Sequence, residues 1–180
     1  MVLDIVIMAA GKGTRMKSRH PKVLHRLAGR PLLAHVLATT AALGDHPTWV
    51  ITGHGADEVE SAIAGSGAQG VRQMPQLGTG HAIQQVLPRL ADDLTDGAAE
   101  PATTLILNGD VPLIATATAR ALADACGGQR LALLTIVLDD ATGYGRILRS
   151  GDGVGGRVLA SSSTRTPRPR SARSARSTPA

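Results

Sequence analysis

The chain has 180 residues, of which 43% are hydrophobic, with 19 Lys and Arg against 14 Asp and Glu. Its length is enough to bury a core and predicts one domain. Five arginines lie in residues 160–180, which hold no acid, so residues 1–159 carry equal numbers of basic and acidic side chains. Trp49 and Tyr144 are the only large aromatic residues. Without a basic folded face or aromatic platforms, the composition argues against nucleic-acid binding.

Cysteine content and the N-terminus indicate the compartment. Cys126 is the only cysteine, which excludes an internal disulfide and fits a reducing environment. The N-terminus lacks the features of a secretory signal, and the apolar run at residues 2–10 is too short to cross a membrane. We therefore expect a cytoplasmic protein with no membrane partner.

Apolar runs rich in Val, Ile, Leu and Thr alternate along the chain with segments of helical spacing. Strands are predicted at residues 3–9, 48–52, 103–107 and 131–138, and helices at residues 31–43, 56–64, 79–90 and 115–125. Elements of these lengths in this order predict right-handed βαβ units, and therefore an α/β fold whose mostly parallel sheet is flanked by helices. Ligands of such sheets bind at the carboxyl ends of the strands.

A glycine-rich loop follows the first predicted strand. Residues 8–16 read M-A-A-G-K-G-T-R-M. Gly11 and Gly13 can adopt backbone angles closed to other residues and can let main-chain N–H groups approach an anion closely. Arg15 and Lys22 place two cations beside the loop. The pattern predicts a site for the phosphates of a nucleoside triphosphate.

Two familiar phosphate loops do not fit this sequence. A Walker A loop needs G-x-x-x-x-G-K-[ST], whereas here the lysine stands between the glycines. A dinucleotide fingerprint needs a third glycine, and that position is Met16. The sequence supports neither an ATPase nor a dehydrogenase.

The loop instead resembles the signature L-A-A-G-x-G-T-R-M, followed by P-K, of the sugar-phosphate nucleotidyltransferases, with Met8 in place of leucine. Four further segments match one branch of that family in order: K-V-L-H-R-L-A-G at residues 22–29, P-Q-L-G-T-G-H-A at 75–82, N-G-D-V-P-L at 108–113 and T-G-Y-G-R-I at 142–147. That branch is the N-terminal domain of the bacterial bifunctional enzymes that join an N-acetylglucosamine-1-phosphate uridyltransferase to a glucosamine-1-phosphate acetyltransferase.

The resemblance covers residues 3–159 and implies a Rossmann-like nucleotidyltransferase fold. The implied reaction makes UDP-N-acetylglucosamine and pyrophosphate from UTP and N-acetylglucosamine-1-phosphate, with Mg²⁺ as cofactor. Full-length members trimerise through a C-terminal left-handed β-helix that has no counterpart here. Two alternatives stay open: another hexose-1-phosphate or molybdenum-cofactor nucleotidyltransferase, and an inactive nucleotide-binding fragment.

The resemblance also implies roles for matching residues. Arg15 and Lys22 are expected to be catalytic, because they would stabilise phosphate charge in the transition state. Asp110 is expected to bind Mg²⁺. Substrate binding is expected of Lys22 and of ten further positions: Met8, Ala9, Ala10, Gly11, Gln73, Gly78, Thr79, Asn108, Gly109 and Asp110. Gln73, Gly78 and Thr79 would lie along the uracil. Gly145 would line the amino-sugar pocket, and the six histidines are predicted to be structural.

The C-terminal segment differs from the rest. Residues 160–180 contain only Ala, Ser, Thr, Arg and Pro, and predict a disordered tail. With permitted codons, reading two nucleotides later gives I-V-E-H-K-D-A-T-P-A-Q-R-A-I-R-E-I-N-T-G, which resembles the family sequence after G-Y-G-R-I. We therefore expect that one nucleotide was lost after the Leu159 codon. The nucleotidyltransferase domain at residues 1–159 would then be C-terminally incomplete and its activity impaired.

Overall fold

A computed structural model describes residues 2–13, 16–95, 102–150 and 157–162. The chain divides into two compact units, Met1–Leu134 and Thr135–Ala180, which are described separately. Among the described residues, no helix has both the length and the apolar character that a membrane span requires.

The first unit is built on a four-stranded parallel sheet of β1 (Val2–Met8), β4 (Thr48–Thr52), β5 (Gln69–Arg72) and β6 (Ala102–Asn108). The order of the strands across the sheet is β5-β4-β1-β6. A small antiparallel hairpin joins β2 (Arg26–Leu27) to β3 (Arg30–Pro31). The helices are α1 (Leu32–Ala41), α2 (Ala56–Ile63), α3 (Thr79–Thr95) and α4 (Thr116–Cys126). The predicted α/β fold with a parallel sheet flanked by helices is confirmed.

The core occupies both faces of this sheet, because β1 is apolar on both sides. Ile5 and Ile7 pack with buried side chains of α1, α2 and α4, whereas Val6 packs with α3. Full burial of each such side chain stabilises the fold by about 1.5–3 kcal/mol. β1 pairs with β6 along its whole length, from Val2 opposite Ala102 to Met8 opposite Asn108. The carboxyl ends of these two strands therefore lie side by side.

The predicted strand at residues 131–138 is wrong, because the structure has no regular secondary structure there. Its apolar side chains are open to solvent, with Leu131 84% exposed and Val137 82% exposed. A strand forms only when a neighbouring strand accepts its backbone hydrogen bonds, and β-propensity by itself does not provide that neighbour.

One strand of the sheet, β5, is missing from the sequence prediction. Its sequence Q-G-V-R has one large apolar residue and no alternation. It forms because β4 pairs with it from Trp49 opposite Gln69 to Thr52 opposite Arg72. Arg72 also donates hydrogen bonds to Glu60 at 2.8 and 2.7 Å. This edge strand is therefore held by contacts that are distant in sequence.

The second unit contains an antiparallel hairpin of β7 (Arg146–Arg149) and β8 (Val158–Ser162). Residues 160–162 were expected to be disordered but belong to β8, because their backbone groups pair with Arg146, Ile147 and Leu148. Residues 163–180 lie outside the described residues.

Candidate nucleotide-binding site

A cavity of about 550 Å³ opens at the carboxyl ends of β1 and β6. Its walls come from the loop after β1, the 3₁₀ turn Lys22–Leu24, the segment before α3, the first turn of α3 and the loop after β6. The lining residues are Met8, Ala9, Ala10, Gly11, Lys12, Gly13, Lys22, Val23, Gln73, Gln76, Gly78, Thr79, Ala82, Asn108 and Asp110. Segments far apart in sequence thus meet at the sheet edge where ligands of parallel sheets bind.

The two glycines of the first loop differ in what the fold requires of them. Gly13 has φ +57°, and a Cβ there would lie 2.9 Å from Lys22 Cβ, so the loop needs glycine at this position. Gly11 is not in the left-handed region, and a Cβ there would meet no atom within 4 Å. Space over Gly11 is therefore free for a ligand.

Lys22 and Asp110 form the charged centre of the cavity. Lys22 Nζ lies 2.5 Å from Asp110 Oδ2, and the two side chains are 41% and 31% exposed. The backbone N–H of Gly109 donates to Met8 O at 3.0 Å, which holds the loop after β6 against the end of β1. A Cβ on Gly109 would lie 3.1 Å from the same oxygen. Glycine at this position therefore permits the close approach that brings the carboxylate to the lysine.

Gln73 and Gly78 form another part of the cavity wall. Gln73 is 3% exposed, and its backbone N–H donates to Thr52 O at 2.8 Å. Its side-chain Nε2 donates to Gly78 O at 2.9 Å. Gly78 O also accepts the N–H of Ala82 at 3.1 Å, which begins α3. The buried amide therefore connects the end of β5 to the start of α3.

Residues 5–163 match the family model described as the MobA-like NTP transferase domain. The chain belongs to this family. Solved structures support the family assignment. The chain aligns with a nucleotidyl transferase from Methanothermobacter thermautotroptrophicus (Mth528) at a TM-score of 0.55 and 27% identity, covering 68% of this chain and 57% of that one. It aligns with Rv0371c from Mycobacterium tuberculosis H37Rv at a TM-score of 0.53 and 26% identity, covering 71% and 60%.

Curated relatives of this nucleotidyltransferase chain are more similar in sequence. It is 63% identical to the "Bifunctional protein GlmU" of Methylibium petroleiphilum over 88% of this chain and 34% of that protein. It is 58% identical to the protein of the same name from Acidovorax sp. (strain JS42), over 87% of this chain and 33% of that protein. The chain thus spans about a third of the length of these relatives.

Most residues expected to bind substrate lie around the cavity of this nucleotidyltransferase domain. Ten of them line it: Met8, Ala9, Ala10, Gly11, Lys22, Gln73, Gly78, Thr79, Asn108 and Asp110. Gly109 lies behind the wall, against β1. Arg15 lies outside the described residues, and Gly145 lies in the second unit.

Four lining residues were not expected from the sequence: Lys12, Val23, Gln76 and Ala82. A fifth, Gly13, was expected in the phosphate loop but not among the substrate-binding residues. All five belong to motifs quoted above. Their membership of those motifs, close in sequence to the expected site residues, was the signal that could have predicted their place in the cavity wall. Lys12 adds a second lysine to the cavity wall beside the Lys22–Asp110 pair.

The donor groups of the cavity fit one kind of metal site. No cluster of three or more His, Cys, Asp or Glu that could hold a metal ion occurs in the part of the chain that the structure describes. Asp110 supplies one carboxylate to the cavity wall, and Asn108 lines the same wall. Mg²⁺ is commonly bound by one or two carboxylates together with substrate phosphates and water, whereas a structural zinc site needs four protein ligands. The residues therefore fit a cation that arrives with a phosphorylated ligand.

Proposed function

We propose that this cavity binds UTP and that the domain transfers its uridylyl group to N-acetylglucosamine-1-phosphate, releasing pyrophosphate and UDP-N-acetylglucosamine. The observation that carries the proposal is the convergence of the glycine loop, the Lys22–Asp110 pair and the Gln73–Gly78 wall on one cavity. The relatives named GlmU, at 63% and 58% identity, support the choice of this reaction within the family.

The chemistry of this reaction suits the residues present. The attacking group is a phosphate monoester, which is largely a dianion at neutral pH, so it needs no general base. Catalysis then depends on alignment and on neutralising charge at the α-phosphate of UTP. Lys22 would neutralise phosphate charge, and the main-chain N–H groups of the loop from Gly11 to Gly13 would bind the phosphates. Arg15 is proposed as a second cation from its motif.

Asp110 would hold Mg²⁺, with Asn108 beside it. The cation supplies charge neutralisation at the phosphates when bound. In the structure, Asp110 is paired with Lys22. We infer that nucleotide binding separates this pair, because Lys22 would turn to a phosphate while Asp110 would turn to the cation.

Gly145 is proposed for the amino-sugar pocket, a cytoplasmic location is proposed from the sequence, and trimer formation is proposed for the longer relatives.

Calorimetric titration of the 180-residue chain with UTP in the presence of Mg²⁺ tests the proposal. We expect Lys22→Ala to weaken UTP binding at least tenfold, because one phosphate charge would lose its partner. Lys17→Ala is the charge-matched control, since Lys17 is exposed and does not line the cavity. Its affinity should match the parent chain.

Two further titrations separate the alternatives. Asp110→Asn should reduce the dependence of UTP binding on Mg²⁺, because an amide is a weaker ligand than a carboxylate. GTP should bind more weakly than UTP. Equal binding of GTP and UTP would favour a molybdenum-cofactor type of nucleotidyltransferase, and no binding of either nucleotide would contradict the proposed site.

A further inference from the structure

The loop between β4 and α2, residues 53–55 with the sequence G-H-G, does not line the cavity but contacts two segments that do. The backbone N–H of His54 donates to Ala10 O, in the cavity wall, at 3.4 Å. Gly55, the last residue before α2, contacts Pro21, which precedes the 3₁₀ turn that carries the cavity lysine. This loop therefore supports the cavity from outside it.

The backbone of Gly55 is packed against the ring of Pro21. Gly55 has φ +64°, and a Cβ there would lie 2.4 Å from Pro21 Cγ. Pro21 is fully buried, and its ring is rigid, so it cannot rotate away from an added atom. Since carbon atoms in contact lie about 3.5 Å or more apart, a side chain at residue 55 would displace Pro21 by about 1 Å.

A displacement of Pro21 would reach Lys22, the next residue. Pro21 O accepts the N–H of Leu24 at 2.9 Å, which closes the 3₁₀ turn. Val23 and Leu24 are buried, so the far end of the turn is held in the core. Lys22 lies between this fixed end and Pro21. Any movement of the proline ring would therefore change the position from which the lysine side chain starts.

The residue before Pro21 connects the turn to α2 a second time. His20 Nδ1 lies 3.1 Å from Oε2 of Glu58, in the first turn of α2. The ring of His20 also meets that of His25 beyond the turn, with centroids 5.6 Å apart. His20 and Glu58 are 50% and 54% exposed, so their pairing contributes at most about 1 kcal/mol. The buried contact between Gly55 and Pro21 is therefore the main connection from α2 to the turn.

We infer that Gly55 is a positioning residue, which holds Pro21 so that Lys22 meets the phosphates of the nucleotide. This inference rests on the proposed function. The lysine has little freedom to compensate for a shift, because a Cβ on Gly13 would lie 2.9 Å from Lys22 Cβ. A misplacement of about 1 Å can cost about a hundredfold where function depends on alignment.

Titration of the 180-residue chain with UTP and Mg²⁺ tests this inference through matched variants at the two ends of α2. Gly65 follows the C-terminal end and has φ +80°, but a Cβ there would meet no atom within 4 Å. Gly55→Ala and Gly65→Ala therefore carry the same left-handed strain, and only the first displaces Pro21. We expect Gly55→Ala to weaken UTP binding about tenfold or more. Gly65→Ala should stay within about threefold of the parent chain.

Two double variants show whether the effect passes through Pro21 and Lys22. Pro21→Ala keeps only Cβ, which lies 3.6 Å from the atom added at residue 55, an ordinary contact. In a Pro21→Ala chain, Gly55→Ala should then change UTP affinity by less than about threefold. In a Lys22→Ala chain its effect should be equally small, because the group that it displaces is absent. A general loosening of the fold would weaken binding in both backgrounds as much as in the parent chain.

The outcomes are distinct. Equal affinities of Gly55→Ala and Gly65→Ala overturn the inference, and so does a loss in the Lys22→Ala chain as large as in the parent chain. A parent chain that does not bind UTP overturns the proposed function and the positioning with it. If circular dichroism shows that Gly55→Ala does not fold, Pro21→Ala is combined with Lys22→Ala instead, because it removes the ring contact without strain at residue 55. Additive losses in that pair overturn the inference.

Discussion

Alanine substitution of the two loop glycines should separate folding from ligand binding. Gly13 has φ +57°, and its added Cβ would lie 2.9 Å from Lys22 Cβ and 3.6 Å from Lys22 Cγ. Gly11 has neither constraint, since an added Cβ would meet no atom within 4 Å. We therefore expect Gly13→Ala to destabilise the fold and Gly11→Ala to leave stability unchanged.

The expected loss for Gly13→Ala follows from two costs. Alanine in the left-handed region costs about 1–2 kcal/mol relative to its preferred conformations. The contact with Lys22 cannot be relieved by rotating a flexible chain end, because Lys22 Cβ is bonded directly to the backbone of the 3₁₀ turn. Val23 and Leu24 of that turn are buried, and crowding of packed groups costs about 1–3 kcal/mol. Together these give about 2–5 kcal/mol.

Thermal unfolding followed by circular dichroism measures this effect. For a chain of this size, each kcal/mol shifts Tm by about 2–4 °C, so Gly13→Ala should lower Tm by about 4–20 °C. Gly11→Ala should stay within about 0.5 kcal/mol of the parent chain. It should nevertheless weaken UTP binding at least tenfold, because its methyl group would occupy space proposed for a phosphate.

Two results would refute this reasoning. A Gly13→Ala variant with the melting temperature of the parent chain would contradict the left-handed conformation and the close contact with Lys22. A Gly11→Ala variant that binds UTP as tightly as the parent chain would show that phosphates do not pass over Gly11.

Three further predictions concern stability, solubility and the gene. The hydrogen bond from Arg72 holds the pKa of Glu60 below its ordinary value of 4.5. The unfolded chain therefore protonates this carboxylate more readily than the folded chain does, so the free energy of unfolding should fall as the pH decreases from about 4.5. Urea unfolding across this pH range should show that the free energy of unfolding falls less steeply with decreasing pH in Arg72→Gln than in the parent chain. Equal slopes in the two proteins would contradict the ion pair. Ile136 is 75% exposed, so Ile136→Lys should reduce concentration-dependent association measured by light scattering, and a monodisperse parent chain would contradict that expectation. Resequencing across the Leu159 codon should reveal one additional nucleotide, whereas the present frame in independent isolates would contradict the proposed loss.

Local patterns determined much of the fold and of the candidate site. In the part of the chain that the structure describes, strands β1, β4 and β6 and helices α1 to α4 lie where apolar runs and helical spacing predict them. The reason is that each of these elements buries a face visible in its own sequence. The glycine loop and the segment N-G-D also follow β1 and β6, so the sequence indicated that they meet at one edge of the sheet.

Tertiary contacts decided the rest. β5 has no apolar pattern and forms because β4 offers it an edge, whereas residues 131–138 have a strong apolar pattern and remain without a strand partner. The Lys22–Asp110 pair joins residues 88 positions apart in sequence. His81 was expected to be structural, and its contact with Gln73 exists because α3 begins where Gly78 turns the chain back toward β5. Periodicity reports which face of an element is buried, but which side chains then meet depends on how the buried faces pack together.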